Sequence, residues 1–155
     1  MPFVFQDTHP WCWAATIASI VNYRKGTSLT AQDVVKYYYG SVVDSAPPVS
    51  TYVSIYNHYG ITSCFLDSWN EIWSDATSRL GNGSPIESIW WTLNGSSGHD
   101  MTVRGYELYS DGYRDYLVVD PNNGYRSTDA QTNSGDCYYI VGSSTYYWTQ
   151  SVKGF

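Results

Sequence analysis

A cysteine at the start of an apolar helix is the first feature of this sequence that could do chemistry. Cys12 follows a polar segment that ends at Pro10, and residues 13 to 23 are mostly apolar, which predicts a buried helix beginning at or next to Cys12. Unpaired N–H groups and the positive end of the dipole at a helix N-terminus favour the thiolate, the form of cysteine that attacks carbonyls. The Gln6 side chain lies upstream and can point an N–H at a developing oxyanion. Cys12 and Gln6 therefore predict a nucleophile and half of an oxyanion hole.

A base for this thiol is available in a predicted β-hairpin of the second half. Residues 100 to 109 and 113 to 119 are predicted strands joined by a turn, and His99 begins the first of them. Antiparallel pairing places residue 100 opposite about residues 121 to 123, so Asp120 returns to within a residue or two of His99. We expect the His99 imidazole to take the thiol proton and a neighbouring side chain to orient the ring.

The types and order of these residues resemble a known enzyme family. Gln6, five intervening residues and then Cys-Trp-Ala-Ala from Cys12 resemble the active-site start of papain-like cysteine peptidases, in particular small bacterial members such as staphopain-like enzymes and effector proteases of plant pathogens. The segments containing Gly98-His99 and Asp120-Pro121 resemble the His and Asp strands of bacteriocin leader peptidases and their relatives.

The resemblance implies a cysteine peptidase that hydrolyses peptide bonds in a peptide or protein substrate. Cys12 is then the nucleophile, His99 the base, Asp120 the residue that orients His99, and Gln6 with the Cys12 backbone N–H the oxyanion hole. Asn122 is the alternative third residue, because many papain-like enzymes use asparagine there, although an Asp before Pro matches the bacterial pattern better. No cofactor is expected. No metal is expected either, since the sequence has no Cys-x-x-Cys or His-x-x-x-His pair.

Two other functions are compatible with parts of this pattern. The same triad could transfer the acyl group to an amine instead of water, as a transpeptidase or transglutaminase-like enzyme does. The sixteen Tyr and seven Trp residues could stack on sugar rings in a carbohydrate-binding module, which would leave the order of the four candidate residues unexplained. His9, in the loop before Cys12, and His58, in the last turn of a predicted helix, are interpreted as structural.

The composition limits which kinds of partner and which cellular compartment are compatible with the sequence. The 155 residues are expected to form a single domain, residues 1–155, and a monomer. A net charge of -6 argues against nucleic acid or an anionic membrane surface as partner, and no apolar segment approaches the ~20 residues of a membrane span. The low charge and the abundance of Tyr, Ser and Asn favour a protein that is secreted or at the cell surface. Met1 stands so close to Gln6 that removal of a signal or pro-region is compatible with the sequence.

The other two cysteines allow two interpretations. With Cys12 as the nucleophile, Cys64 and Cys137 either form one disulfide in an oxidising compartment or are two buried thiols. The sequence favours neither.

Helices in the first half and antiparallel strands in the second predict an α+β fold, in which a central helix carrying Cys12 packs on a C-terminal sheet. A capping box from Ser68 to Glu71 places the start of one of these helices at Trp69. The predicted helices are residues 12 to about 24, 31 to about 39, 50 to about 59 and 69 to about 80. The predicted strands are residues 61 to 66, 86 to 93, 100 to 109, 113 to 119 and 137 to 141.

Overall fold

A computed structural model describes residues 1–69, 71–130, 137–141 and 143–155. Glycine and capping side chains set the helix ends: α1 stops at Gly26, whose φ of 67° is left-handed, and Thr30 forms a capping box with Asp33 at the start of α2. In these ranges the helices are α1 (Cys12–Lys25), α2 (Ala31–Tyr39), α3 (Tyr52–His58) and α4 (Trp73–Gly81), with a 3₁₀ turn (Val49–Thr51) before α3. No helix of the described residues has the length and apolar character to cross a membrane.

The second half of the chain builds one antiparallel sheet. Its order is β1-β7-β2-β3-β4-β5, and β6 pairs with β7 outside this path. The sheet therefore has β2, β3 and β4 next to one another, and the site is built where β3 begins and β4 ends. The strands of the described residues are β1 (Phe65–Asp67), β2 (Ile86–Thr92), β3 (Gly98–Leu108), β4 (Arg114–Asp120), β5 (Gly124–Asp129), β6 (Tyr138–Val141) and β7 (Ser144–Lys153).

Two apolar clusters cover the two faces of this sheet. Strand β2 contributes to both, because successive side chains alternate between faces: Ile89 packs with the helices α1, α2 and α3, and Trp90 packs on the other side. Helix α1 is enclosed, with every residue from Trp13 to Asn22 buried. This helix is the central core helix that the sequence predicted, and it presents Cys12 at the edge of the core.

The order of elements confirms the predicted α+β fold. The β3–β4 hairpin also has the predicted register. The Tyr109 N–H donates to the Tyr113 carbonyl at 2.9 Å next to the turn, and Thr102 pairs with Val119 further along the strands. A bulge between Val103 and Gly105 shifts the pairing by one residue without separating the ends of the strands. The end of β4 therefore returns beside the start of β3.

The predicted start of the fourth helix, at Trp69, is wrong. Helix α4 begins at Trp73, and Glu71 does not cap it because the Glu71 carboxyl is buried and pairs with the Lys153 ammonium and, at 3.3 Å, with Arg79. Asn70, part of the predicted capping box, lies outside the described residues. The strand predicted for residues 61 to 66 is shorter and later, at Phe65–Asp67.

Two strands were not predicted. Strand β5 lies at the edge of the sheet and carries mostly polar, exposed residues, so its sequence has no apolar signal. Strand β7 lies inside the sheet, but it buries polar residues, Ser151 and Lys153, where an apolar alternation would be expected. Lys153 is accommodated there by its ion pairs with Asp67 and Glu71.

Candidate active site

Cys12 is the first residue of α1 and is partly exposed. Trp11 occupies the N-cap position, no described side chain caps this end, and the first turn contains no acidic residue. The N–H groups of the first turn therefore remain available around the Cys12 sulfur, at the end of the helix that stabilises negative charge.

His99 connects Cys12 to Asp120. The His99 ring lies near the start of β3, and its Nε2 is 2.9 Å from Oδ1 of Asp120, the last residue of β4. Cys12 lies close enough to the same ring to raise its pKa. Because Nε2 contacts Asp120, Nδ1 is the ring nitrogen that remains for the sulfur. The structure thus brings together a thiol, an imidazole and a carboxylate from α1, β3 and β4.

The positive charge of His99 and the negative charge of Asp120 stabilise each other. Burial lowers the pKa of His99, but hydrogen bonds and charge interactions with Asp120 and Cys12 outweigh burial and raise this pKa to about 10. Burial raises the pKa of Asp120, but the His99 ring and the hydrogen bonds of the following turn outweigh burial and lower this pKa to about 2. At neutral pH the site therefore contains an imidazolium and a carboxylate.

The buried Asp120 carboxylate is fixed on both oxygens. Besides His99, Oδ1 accepts the Asn122 backbone N–H at 2.8 Å, and Oδ2 accepts the Asn123 side chain and the Tyr139 hydroxyl, each at 2.9 Å. Of the two candidates for the third residue, Asp120 is the one whose side chain bonds the ring, and Asn122 supports it through the backbone. Tyr139 was missed by sequence reasoning, because nothing in the sequence of β6 marks it as a neighbour of the site.

Gln6 lies in the same cleft as Cys12. Its backbone N–H donates to the Pro121 carbonyl at 3.0 Å, and its Nε2 donates to the His9 carbonyl at 3.1 Å. The Gln6 Oε1 is buried and has no hydrogen-bond partner among the described residues. The structure therefore places Gln6 in the cleft that contains Cys12, with one of its two side-chain N–H groups already used.

The cleft has a volume of about 680 Å³. One wall is the loop that follows α2, and the tryptophans on either side of Cys12 hold it: Trp11 Nε1 donates to the Val43 carbonyl at 2.8 Å and Trp13 Nε1 to the Ser45 carbonyl at 3.1 Å. The opposite wall is the sheet. Residues lining the cleft include Ala46, Pro47, Pro48, Val49, Tyr52, Ile89, Trp91, Gly98, Asp100 and Tyr146.

The remaining histidines make contacts away from the Cys12 thiol. His9 Nδ1 is 2.7 Å from Asp44 Oδ1, and its ring stacks on Trp11 at 4.0 Å. The His58 ring stacks on Tyr37 with the ring centres 3.6 Å apart. Their interpretation as structural residues is consistent with these contacts.

Cys64 and Cys137 are not joined by a disulfide. They belong to the two different apolar clusters, on opposite faces of the sheet. Burial raises the pKa of Cys64 to about 11. The structure therefore agrees with the interpretation of two buried thiols. Among the described residues, no three His, Cys, Asp or Glu side chains are grouped so that they could hold a metal ion.

Two solved structures have the same fold. A double glycine motif protease from an AMS/PCAT transporter, in complex with the leader peptide, has 15% identity and a TM-score of 0.54, over 99% of this chain and 91% of that one. The bromelain protease from Ananas comosus, in complex with the E64 inhibitor, has 18% identity and a TM-score of 0.52, over 96% of this chain and 93% of that one. At these identities the likeness shows the fold, and this fold is papain-like as the sequence predicted.

The sequence itself has a family match. No curated protein matches it. The model of the Peptidase_C39 like family matches residues 1–146. The match covers both the Cys12 segment and the strands that carry His99 and Asp120. The chain therefore belongs to the Peptidase_C39 like family and is a cysteine peptidase.

Proposed function

We propose that this peptidase is an endopeptidase in which Cys12, His99 and Asp120 act as a catalytic triad and Gln6 contributes to an oxyanion hole. The observation that carries the proposal is the position of the His99 ring, whose Nε2 is held by the buried Asp120 carboxylate and which lines the same cleft as Cys12. A ring held in this way has one tautomer and one orientation, which is what proton transfer to and from a thiol requires.

The first half of the reaction forms a thioester. The Cys12 sulfur attacks the carbonyl carbon of the peptide bond, so a C–S bond forms and the carbonyl oxygen becomes an oxyanion. His99, whose pKa of about 10 keeps it protonated at neutral pH, gives its proton to the leaving nitrogen as the C–N bond breaks. The amine product leaves and the acyl group stays on Cys12.

The second half releases the acid. The now neutral His99 takes a proton from water, the water oxygen attacks the thioester carbonyl, and the C–S bond breaks to return the thiolate and the imidazolium. Asp120 remains ionised throughout, and its role is to hold the ring and to stabilise its positive charge.

The oxyanion is assigned to two N–H donors. One is the backbone N–H of Cys12, at the uncapped end of α1. The other is the second side-chain N–H of Gln6, because the first donates to the His9 carbonyl. Losing one such donor lowers kcat by roughly 10²–10³-fold in enzymes with an oxyanion hole.

The decisive experiment is a peptide-library digest read by mass spectrometry, with the wild-type protein and the Cys12→Ala protein side by side. Cleavage by the wild type and none by Cys12→Ala supports the proposal, and equal cleavage by both proteins refutes it. Activity should require a reducing agent, because an accessible thiolate is readily oxidised.

Alkylation identifies the thiol independently of any substrate. At neutral pH, iodoacetamide should modify one thiol quickly and stoichiometrically. The Cys64→Ala variant should keep this fast reaction, because burial raises the pKa of Cys64 to about 11 and makes it unreactive, and the Cys12→Ala variant should lose it. A fast reaction that survives in Cys12→Ala would remove Cys12 as the nucleophile.

The role of Gln6 has its own test. The Gln6→Ala variant should have a kcat lower by roughly 10²–10³-fold than the wild type. The matched control is Gln32→Ala, which removes the same group from the exposed face of α2 and should keep kcat. Equal kcat values for the two variants would exclude Gln6 from the oxyanion hole.

A further inference from the structure

A second carboxyl group, on the residue after His99, lines the cleft. Asp100 is 5% exposed, and its Oδ2 accepts the Tyr52 hydroxyl at 2.8 Å. Its backbone carbonyl accepts the Thr16 hydroxyl at 3.1 Å, which anchors this part of β3 to α1. Asp100 is therefore held in place on the cleft wall, and the proposed mechanism gives it no role.

A third carboxyl group lies beneath Asp100. Glu87 is on β2, where Ile89 pairs with Asp100, and side chains alternate along a strand, so Glu87 projects from the same face as the cleft-lining Ile89. Glu87 is 0% exposed, and neither of its carboxyl oxygens has a hydrogen-bond partner among the described residues. The Tyr56 hydroxyl, which lies next to Glu87, also lacks one.

No lysine or arginine of the described residues pairs with either carboxyl group. The ion pairs of the buried Glu71 show the usual arrangement, in which a buried carboxylate is neutralised by cations, here Lys153 and Arg79. Buried charges without such a partner are costly and are rarely retained. The pair formed by Asp100 and Glu87 therefore has no lysine or arginine partner among these residues, and the cation that acts on Asp100 is the preceding residue, His99.

We propose that the cleft binds a Lys or Arg side chain of the peptide substrate, with its charged group against Asp100 and with Glu87 beneath. The inference rests on the proposed function, because it concerns the substrate of the same cleft. The walls beside Asp100 suit such a side chain, since Val49, Ile89 and the ring of Tyr52 can cover the methylene groups while the charged end reaches the carboxylate.

Asp100 is the member of the pair that carries the negative charge. Burial raises its pKa to about 6, while the Tyr52 hydroxyl and the charge of His99 act in the opposite direction. Burial and the charge of Asp100 raise the pKa of Glu87 well above its usual value. The Asp100 carboxyl, whose pKa lies below neutral, is therefore the charged group on the wall of the cleft.

The test compares matched peptides built on a sequence that the library digest shows to be cleaved. The peptides differ only in having Lys, Arg, norleucine or Glu at each of the three positions before the cleaved bond, and kcat/KM is measured for each. At one of these positions the wild type should prefer Lys or Arg over norleucine by ~10-fold or more, the scale expected for a partly buried charge pair, and should reject Glu. A wild-type ratio near one or below it at all three positions overturns the inference.

Variants assign this preference to Asp100. Asp100→Asn should reduce the ratio of Lys to norleucine by about 10-fold, because the side chain keeps its shape but loses its charge. Asp115→Asn is the matched control: burial also raises the pKa of Asp115, but it lies at the far end of β4 from Asp120, so the ratio should not change. A ratio that stays at the wild-type value in Asp100→Asn overturns the assignment.

The pH dependence of the same ratio gives a further readout. The groups facing Asp100 are Glu87, Tyr52 and His99. Because the pKa of Asp100 is about 6, its charge is lost below that pH, and the preference for Lys should fall as the pH decreases from 7 to 5. Titration of His99 changes kcat/KM for the Lys and norleucine peptides alike, so it leaves the ratio of the two values unchanged.

Binding separates failure of this inference from failure of the proposed function. For this test a Lys peptide and its norleucine counterpart are chosen without regard to cleavage and titrated into the Cys12→Ala protein in a calorimeter. Tighter binding of the Lys peptide without cleavage by the wild type would support the acidic subsite and refute the endopeptidase. Cleavage by the wild type with equal binding and equal kcat/KM for both peptides would support the endopeptidase and refute the subsite.

Discussion

The backbone N–H of Gln6 donates to the carbonyl of Pro121 at 3.0 Å. This bond joins the loop that precedes Cys12 to the turn that follows Asp120, and it uses no side chain. The backbone segments that carry Gln6 and Asp120 are therefore held next to each other by a main-chain bond.

The Asp120→Asn variant tests what holds the charge on His99. The raised pKa of His99, about 10, depends on Asp120 and Cys12, since burial alone would lower it. Without the carboxylate the His99 pKa should fall toward neutral, the imidazolium should be lost at a lower pH, and kcat/KM at pH 8 should drop by about 10²-fold or more. The measurement is the pH profile of kcat/KM together with an NMR titration of the His99 ring. If kcat/KM of Asp120→Asn falls at the same alkaline pH as that of the wild type, Asp120 does not set the pKa of His99.

Tyr139→Phe removes a single hydrogen bond to the Asp120 carboxylate. Because Asp120 is fully buried, losing the 2.9 Å bond from the Tyr139 hydroxyl should lower the free energy of unfolding by about 1–3 kcal/mol and reduce kcat/KM. Tyr138→Phe is the matched control, since Tyr138 is the preceding residue of β6 and is 45% exposed. Urea unfolding and kinetics of both variants provide the comparison. Equal behaviour of the two would show that Tyr139 does not support the site.

The sequence predicted those parts of the site that depend on local patterns. The start of α1 at Cys12 follows from one polar-to-apolar boundary, and the approach of His99 to Asp120 follows from the register of one short hairpin. Both depend on residues close together in the chain, where periodicity and turn residues carry information. The alternation of apolar residues also predicted that β2 is a strand.

The parts that the sequence did not predict depend on long-range pairing. Strand β7 joins β1 and β2, yet its buried Lys153 is explained by Asp67 and Glu71, which are distant in sequence. The capping box was misplaced for the same reason, because Glu71 pairs with this lysine instead of capping α4. The role of each aromatic residue also depends on the fold: Trp13, Trp90 and Tyr116 are buried in the core, whereas Trp91 and Tyr146 line the cleft.

The stability of the protein should depend on pH through His99 and Asp120. The pKa of His99 is raised from 6.5 to about 10, so its contribution is fully present below pH 6.5 and is lost as the pH rises through 10. The pKa of Asp120 is lowered from 3.8 to about 2, so its contribution is present above pH 3.8 and is lost as the pH falls through 2. The joint contribution is therefore largest between about pH 4 and 6.5.

Urea unfolding of the wild type and of His99→Gln, with a reducing agent at each pH, isolates this contribution from those of other groups. The difference in the free energy of unfolding between the two proteins should decrease steadily from pH 6.5 to 10. A difference that stays constant over this range would contradict the raised pKa of His99.

Trp13, the residue after Cys12, should act on substrate binding through the loop that forms one wall of the cleft. Trp13 is fully buried, and its indole N–H donates to the Ser45 carbonyl, next to the cleft-lining Ala46. Trp13→Phe keeps an aromatic ring in the core but leaves that carbonyl without its donor, so the wall formed by residues 46–49 should become less well ordered. We expect KM to increase several-fold and the free energy of unfolding to decrease by about 1–3 kcal/mol, with a smaller effect on kcat, because His99 and Asp120 are held by other elements.

Trp69→Phe, at a residue 75% exposed, is the control and should change none of these quantities. If Trp13→Phe lowers kcat as strongly as it raises KM, Trp13 positions the Cys12 thiol rather than the loop.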